Sequence, residues 1–311
     1  MHSDIISSYI PMNGNGNGKI RKAVIAAAGF GTRFLPATKN QPKEMLPIIN
    51  KPIIQYLVEE AVASGIEDVI LVTRMGQSTM ENHFDSNFEL EYLLEKNGKT
   101  EKLEEIKKIS RMANFIYVRQ HKHLPYGNGT PLISVKDLIG KNERFVYMFG
   151  DDLVLSKTPC AKQLIDYSNK KDKAVTVAVQ EIQEEEVSRY GIYNIKEGTE
   201  DRVESAVEKP EPEEVKPPYL AQFGRFVLNK EIINITNEKY KNNELGKDNE
   251  LWIIDSIIEY AKKNPVFAAK IEGEWMTTGD PLRYMKTQVR YALKREDIGP
   301  NFKSFLKGLK L

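Results

Sequence analysis

The residues best suited by type to do chemistry gather in "AAAGFGTRFLPATKNQPKEMLP" at 26–47, where Ala28, Gly29, Gly31 and Thr32 run ahead of Arg33, Lys43 and Glu44. Glycines, lacking a Cβ, let backbone N–H groups close on an anion, and mobile Arg and Lys side chains bring positive charge. Directly after a strand, this combination suits the oxygens of a triphosphate. The spacing is neither G-x-x-x-x-G-K-[ST] nor G-x-G-x-x-G, which argues against a Walker-type NTPase and a dinucleotide fold. Taken alone, a G-x-G is no more than a solvated turn.

Further candidates follow in order. Gln120 ends the apolar run "FIYVRQ", "GNGTP" occupies 127–131, and "GDD" places Asp151 and Asp152 after another apolar run. A carboxylate at the C-terminal end of a buried strand stands where open α/β sheets bind ligands. "VEKP" sets Glu208 beside Lys209. Neighbours on a strand face opposite sides, so both can serve one ligand only if the strand ends or bends there, which Pro210 favours. The "HKH" at 121–123 lacks the partners a metal site needs and reads as exposed loop, and Cys160 reads as a small core residue on a helix.

These residues need a scaffold, and the apolar periodicity supplies one. "KAVIAAA" reads as a buried strand. Pro52 to Ser64 carries apolar residues at helical spacing, with Pro52 in its first turn and Gly65 past its end, and "DVILVT" (68–73) is a second buried strand. Strand–loop–helix–strand order continues through 115–120, 144–152 and 174–180, with "PLISVKDLI" and "CAKQLIDYSNK" as helical connections. The expected fold class is α/β: a three-layer α/β/α arrangement with a mostly parallel, Rossmann-like central sheet. From Tyr190 onward shorter strands predict a smaller antiparallel portion, with "EKPEPEEVKPP" as a proline-rich loop. Glu81 to Arg111 reads as helix broken at "KNGKT"; its "EKLEEIKKI" is an amphipathic, solvated face open to oligomer contact. The tail after Pro281 reads as helical and basic.

"NGNGNG" at 13–18 predicts a flexible tether over 1–18 and a single catalytic domain over 19–311. With 45 basic and 44 acidic residues in 311, the charge balance gives no argument for nucleic acid. One cysteine excludes an internal disulfide and a thiolate zinc cage. No apolar run approaches the roughly 20 residues of a membrane span, and the N-terminus lacks the plan of a signal peptide, so a cytoplasmic location with no membrane partner is expected.

The opening loop resembles the signature G-x-G-T-R-x-x-P-x-T…P-K of sugar-1-phosphate nucleotidylyltransferases, and "FLPATK…PKEMLP" is similar to the bacterial UTP–glucose-1-phosphate uridylyltransferase form. The likeness runs through "YVRQ", "GDD", "RYGIY", "VEKP" and "GRFVL" to "TTGDPLRYMK", nearly the whole chain after Lys19. It implies formation of UDP-glucose and pyrophosphate from UTP and glucose 1-phosphate with Mg²⁺, by a homo-oligomer (dimer or tetramer). It implies Arg33 on the leaving pyrophosphate, Lys43 on the α- and β-phosphates, and close backbone approach at Ala28, Gly29, Gly31 and Thr32. Gln120, Gly127 and Glu44 would serve the nucleotide, Asp151 the metal, Lys209 the sugar phosphate, and Glu208, Gly191 and Gly224 the hexose.

The chain departs from that pattern in places. Ala26 stands where proline is usual, "GNGTP" replaces G-L-G-H-A so that Thr130 takes a histidine's place, and Thr277 stands where an acidic residue is common. Two other readings therefore stay open here: the same chemistry with a different base or sugar, and a nucleotide-sugar-binding regulator without turnover.

Overall fold

The computed structural model describes residues 18–309, so the tether expected over 1–18 lies, apart from Gly18, outside the described residues. Nine strands form the main sheet: β1 Lys22–Ala26, β2 Asp68–Thr73, β3 Asn114–Arg119, β4 Arg144–Phe149, β5 Val175–Glu181, β6 Gly191–Ile195, β7 Val203–Glu208, β8 Leu220–Asn229 and β9 Val266–Lys270. β1, β2, β3 and β4 pair in parallel in the order β3-β2-β1-β4, as βαβ connections require. β8 runs against them, antiparallel to both β4 and β5, and β9 closes the far edge parallel to β5.

Apolar side chains alternate across this sheet, which builds two cores. On one face Ala23 and Ile25 pack with helices α1 (Ile53–Ala63) and α6 (Cys160–Lys170). On the other, Val24 packs with α5 (Thr130–Ser134), α7 (Lys230–Lys241) and α8 (Ile253–Ala261). The three layers expected from the sequence are thus present, and α6 begins and ends where "CAKQLIDYSNK" does. Pro52 sits one position before α1 as its N-cap rather than inside its first turn, and Gly65 follows at φ 90°.

One expectation needs correction. The segment 81–111 breaks twice, into α2 (Thr79–Phe84), α3 (Phe88–Lys96) and α4 (Thr100–Ser110), because the Asn87 side chain caps α3 by accepting from Leu90 N. The smaller antiparallel portion expected after Tyr190 is present, and it is continuous with the main sheet. Along one flank β8 pairs first with β6, at Leu220 and Ala221, and then with β4, from Arg225 to Asn229. Between those stretches β8 bulges, with Gly224 at φ 74°. The ends of β4 and β6 therefore face each other across a gap, and that gap is the cleft. Two helices, α9 (Pro281–Lys294) and α10 (Gly299–Gly308), complete the described chain.

Candidate active site

A single cleft of about 590 Å³ opens there, lined at one end by Arg33, Lys43 and Asp151 and at the other by Gly191, Glu208 and Lys209. The phosphate-like end begins where β1 stops. Gly31, at φ 61°, turns the chain into one 3₁₀ turn (Thr32–Phe34), and Thr38 Oγ1 donates to the Gly31 carbonyl at 2.8 Å. Lys43 and Glu44 occupy a second such turn (Lys43–Met45). From it Lys43 Nζ reaches Asp151 Oδ2 at 2.5 Å, while Arg33 Nη1 donates to the Gly279 carbonyl at 3.2 Å.

Charges in this end sit beside opposite charges. Burial works to raise the Asp151 carboxyl, but Lys43, with Arg33 farther out, outweighs it and holds Asp151 below the usual carboxylate range. Burial pulls the Lys43 ammonium down, and Asp151 and Glu44 more than offset that, leaving it raised. Glu44, almost wholly buried with Oε2 unpartnered, is pushed up to about 7 by burial. Asp152 is likewise pushed up to about 7 by burial and by the charge of Asp151. Its Oδ1 accepts from Trp275 Nε1 at 2.8 Å at the wall of the cleft.

The turn that carries Asp151 is fixed through its backbone. Thr278 donates to the Asp151 carbonyl through N (2.7 Å) and Oγ1 (2.9 Å). The fully buried Arg225 donates to the Asp152 carbonyl at 2.7 Å and grips Glu60 of α1 with two bonds of 2.9 Å. Sequence reasoning passed over Glu60 and Arg225, whose partnership spans 165 positions.

Among the described residues no three His, Cys, Asp or Glu side chains cluster as a metal cage. The donor set nonetheless fits Mg²⁺, which takes one or two carboxylates and completes its shell with phosphate oxygens and water. Asp151 presents its carboxylate to the cleft, and a Cβ on Gly279 would lie 3.1 Å from Oδ2, so the glycine leaves that flank open. Thr277 also faces the cleft, its Oγ1 accepting from Gly279 N at 3.2 Å. Asp280, the nearest further carboxylate in sequence, caps α9 through Arg283 N and is held by Arg189 at 2.9 Å and Arg283 at 3.0 Å.

At the base-like end Gln120 follows β3, its N–H still bonded to the Thr73 carbonyl at 2.8 Å. Gly127 stands at φ 124°, and a Cβ there would come within 2.2 Å of the Leu251 carbonyl, so only glycine fits. Thr130, in the histidine's place, is buried and donates to the Pro125 carbonyl at 2.8 Å: it braces its own loop, while Pro131 and Asn128 line the cleft.

At the sugar-like end β7 stops at Glu208, and Lys209 adopts φ 47°. This left-handed residue supplies the bend that a shared ligand demands, and both side chains line the same cleft. Gln222 donates to Glu208 Oε2 at 3.0 Å and accepts from Tyr193 at 3.1 Å. Burial pushes Glu208 up to about 7 despite the Lys209 charge beside it. Lys209 lies 3.9 Å from Glu250 and over the Trp252 ring.

Ala28, Gly29, Glu44, Gln120 and Gly127 line the cleft with the catalytic candidates, whereas Gly31, Thr32 and Gly224 do not. Gly224 was expected against the hexose. A Cβ there would strike Phe149 at 2.4 Å, so its freedom makes room for the ring of Phe149, which itself lines the cleft. Gly31 serves the turn, and Thr32 lies exposed on it. The exposed His121 and His123 stack on one another at 5.4 Å.

The cleft at the strand ends of a mostly parallel α/β sheet carries a cation–carboxylate pair, and the chain belongs to the nucleotidyl transferase family, whose model matches residues 22–293. Within it, the chain is 42% identical over 291 residues to the UTP–glucose-1-phosphate uridylyltransferase YngB of Bacillus subtilis, covering 93% of this chain and 95% of that one. It is 43% identical to a UTP–glucose-1-phosphate uridylyltransferase of Staphylococcus epidermidis, covering 94% and 99%. Among solved structures it resembles a UDP-glucose pyrophosphorylase from Acinetobacter baumannii at TM-score 0.83 and 32% identity, over 94% of this chain and all of that one. A UDP-glucose pyrophosphorylase complexed with UDP-glucose is similar at TM-score 0.78 and 34% identity, over 89% and 100%. Among the described residues no helix is long and apolar enough to cross a membrane.

Proposed function

We propose that this chain is an enzyme that forms UDP-glucose and pyrophosphate from UTP and glucose 1-phosphate. The observation that carries this reading is the opposition, within one cleft, of the Lys43–Asp151 pair and the Glu208–Lys209 bend. A phosphate oxygen of the sugar attacks the α-phosphorus in line as the bond from that phosphorus to the bridging oxygen breaks. Charge shifts between oxygens and no proton need move, so positioning and fixed cations do the work.

Arg33 takes the leaving pyrophosphate, and Lys43 takes the α- and β-phosphates, whose oxygens replace the Asp151 carboxylate as its partner. Asp151 would hold Mg²⁺, which when bound supplies Lewis-acid neutralisation of phosphate charge. Gln120 and the backbone at Gly127 meet the uracil edge with paired donors and acceptors. Lys209 holds the sugar phosphate and Glu208 accepts from hexose hydroxyls. We place the enzyme in the cytoplasm, where Cys160 stays reduced, acting as a homo-oligomer on these small molecules. Pyrophosphate release assayed across four nucleoside triphosphates and several sugar 1-phosphates tests the reading. Preference for another pair would reassign the substrates, and binding without turnover would favour a regulator.

Two consequences concern the sugar end. Lys209→Ala is expected to raise KM for glucose 1-phosphate about tenfold to a hundredfold with a far smaller change for UTP, since a charge-assisted bond to phosphate contributes about 1.5–3 kcal/mol. Equal weakening of both substrates would contradict the assignment. Glu208, ionised only above about 7, accepts hydroxyl hydrogens best as the carboxylate. KM for glucose 1-phosphate should therefore rise as pH falls from about 8 to about 6. Glu208→Gln should remove that part of the slope and leave only the titration of the substrate phosphate; an identical slope in the variant would free Glu208 of this role.

A further inference from the structure

Three side chains outside the reaction scheme meet at the mouth of the nucleotide half. Phe30 lies in the glycine loop and Tyr126 in the base loop, and their rings stand 5.8 Å apart, tilted by 40°. That separation falls within the range of favourable aromatic pairs. On the Phe30 ring rests the Arg74 guanidinium, 4.4 Å from its centroid. Arg119 Nη1 donates to the Arg74 and Gln77 carbonyls at 2.7 and 2.6 Å, so the residue behind Phe30 is anchored. Tyr126 is anchored too, its carbonyl accepting from Leu251 N at 2.7 Å.

The position of the pair is informative. Gly29 and Gly127, each next to one of these aromatics, both line the cleft, and so does Tyr126, while Phe30 stands outside the lining. The ring contact therefore bridges the rim between the loop assigned to phosphate and the loop assigned to base. Among the described residues no hydrogen bond joins residues 27–31 to residues 121–129, and the tilted ring pair links these two loops, which a bound nucleotide must span. Phe30 is 47% and Tyr126 57% exposed, so little protein packs over the outer faces of the two rings.

We infer that Arg74, Phe30 and Tyr126 form an aromatic latch that closes over a bound nucleoside triphosphate and sets how long nucleotide stays in the cleft. This rests on the nucleotidyl-transfer reading above. The latch opens for entry, and re-forming the ring contact over the occupied cleft slows departure. It acts on UTP and on the nucleotide-sugar product and not on the sugar phosphate, which docks at the Lys209 end.

The test is stopped-flow displacement of methylanthraniloyl-labelled UTP by excess unlabelled UTP, with steady-state kinetics of the same proteins. Phe30→Ala and Tyr126→Leu should each speed release about threefold to tenfold, the span of a lost aromatic pair. KM for glucose 1-phosphate should stay within about twofold. Tyr126→Phe, which keeps the ring, should release nucleotide at the parental rate. Unchanged release in both ring-removing variants of a protein that turns UTP over overturns the latch alone, as does an equal loss of affinity for both substrates. A parent protein that neither binds labelled UTP nor releases pyrophosphate overturns the functional reading and the latch with it.

Discussion

Asp151→Asn is expected to lower kcat by roughly a thousandfold, because metal neutralisation of phosphate charge is worth several kcal/mol and each 1.36 kcal/mol is a factor of ten. The asparagine keeps the shape of the side chain and the backbone bonds from Thr278, so the fold should survive. It removes the anion that Mg²⁺ requires and that now faces Lys43. A matched thermal midpoint for parent and variant is the control. Thr277→Asp makes the complementary change: its side chain lines the same cleft, and a second anion there should lower the Mg²⁺ concentration giving half-maximal activity. Mg²⁺ titrations at saturating substrates read both effects. Harmless Asp151→Asn would remove the metal site, and an upward shift in Asp280→Asn with none in Thr277→Asp would move the second carboxylate to Asp280. That outcome would require Asp280 to leave Arg189, Arg283 and its cap on α9.

What the sequence made legible is what depends on near neighbours. The β1 loop, the limits of α6 and the helix over 53–63 follow from apolar period and from Pro and Gly at the ends, all local quantities. The bend at Lys209 was legible for the same reason, since a shared ligand and a following proline constrain the very next residue. β8 was not legible in its place. Its ten residues look like any buried strand, and nothing in them says that β6 will occupy one half of its flank and β4 the other. The packing of Gly224 was hidden for that reason: the ring it accommodates, Phe149, lies 75 positions earlier in sequence and arrives only with the pairing of β4. The Glu60–Arg225 grip and the Phe30–Tyr126 contact are equally non-local. Thr130 shows the converse, a residue whose family position suggested a ligand contact and whose buried bond to Pro125 belongs to its own loop.

Arg33→Ala should reduce kcat by about a hundredfold to a thousandfold, the usual effect of removing one preorganised donor from developing charge. Its side chain is exposed and makes one bond, to the Gly279 carbonyl, so nothing in the core depends on it and stability should change little. The loss should fall on kcat more than on KM for UTP, because the guanidinium is needed most when the pyrophosphate departs with its new charge. Arg33→Lys separates charge from geometry: a point charge restores part of the rate, whereas the planar fork of arginine holds two phosphate oxygens at once. Lys43→Ala provides the contrast. It also strips Asp151 of its 2.5 Å partner and leaves burial to dominate, so it should push the Asp151 carboxyl above the usual carboxylate range and cost both stability and rate. If Arg33→Ala keeps kcat within a few-fold of the parent while Lys43→Ala abolishes it, the leaving group is held by Lys43 alone and the glycine loop serves the triphosphate only through its backbone.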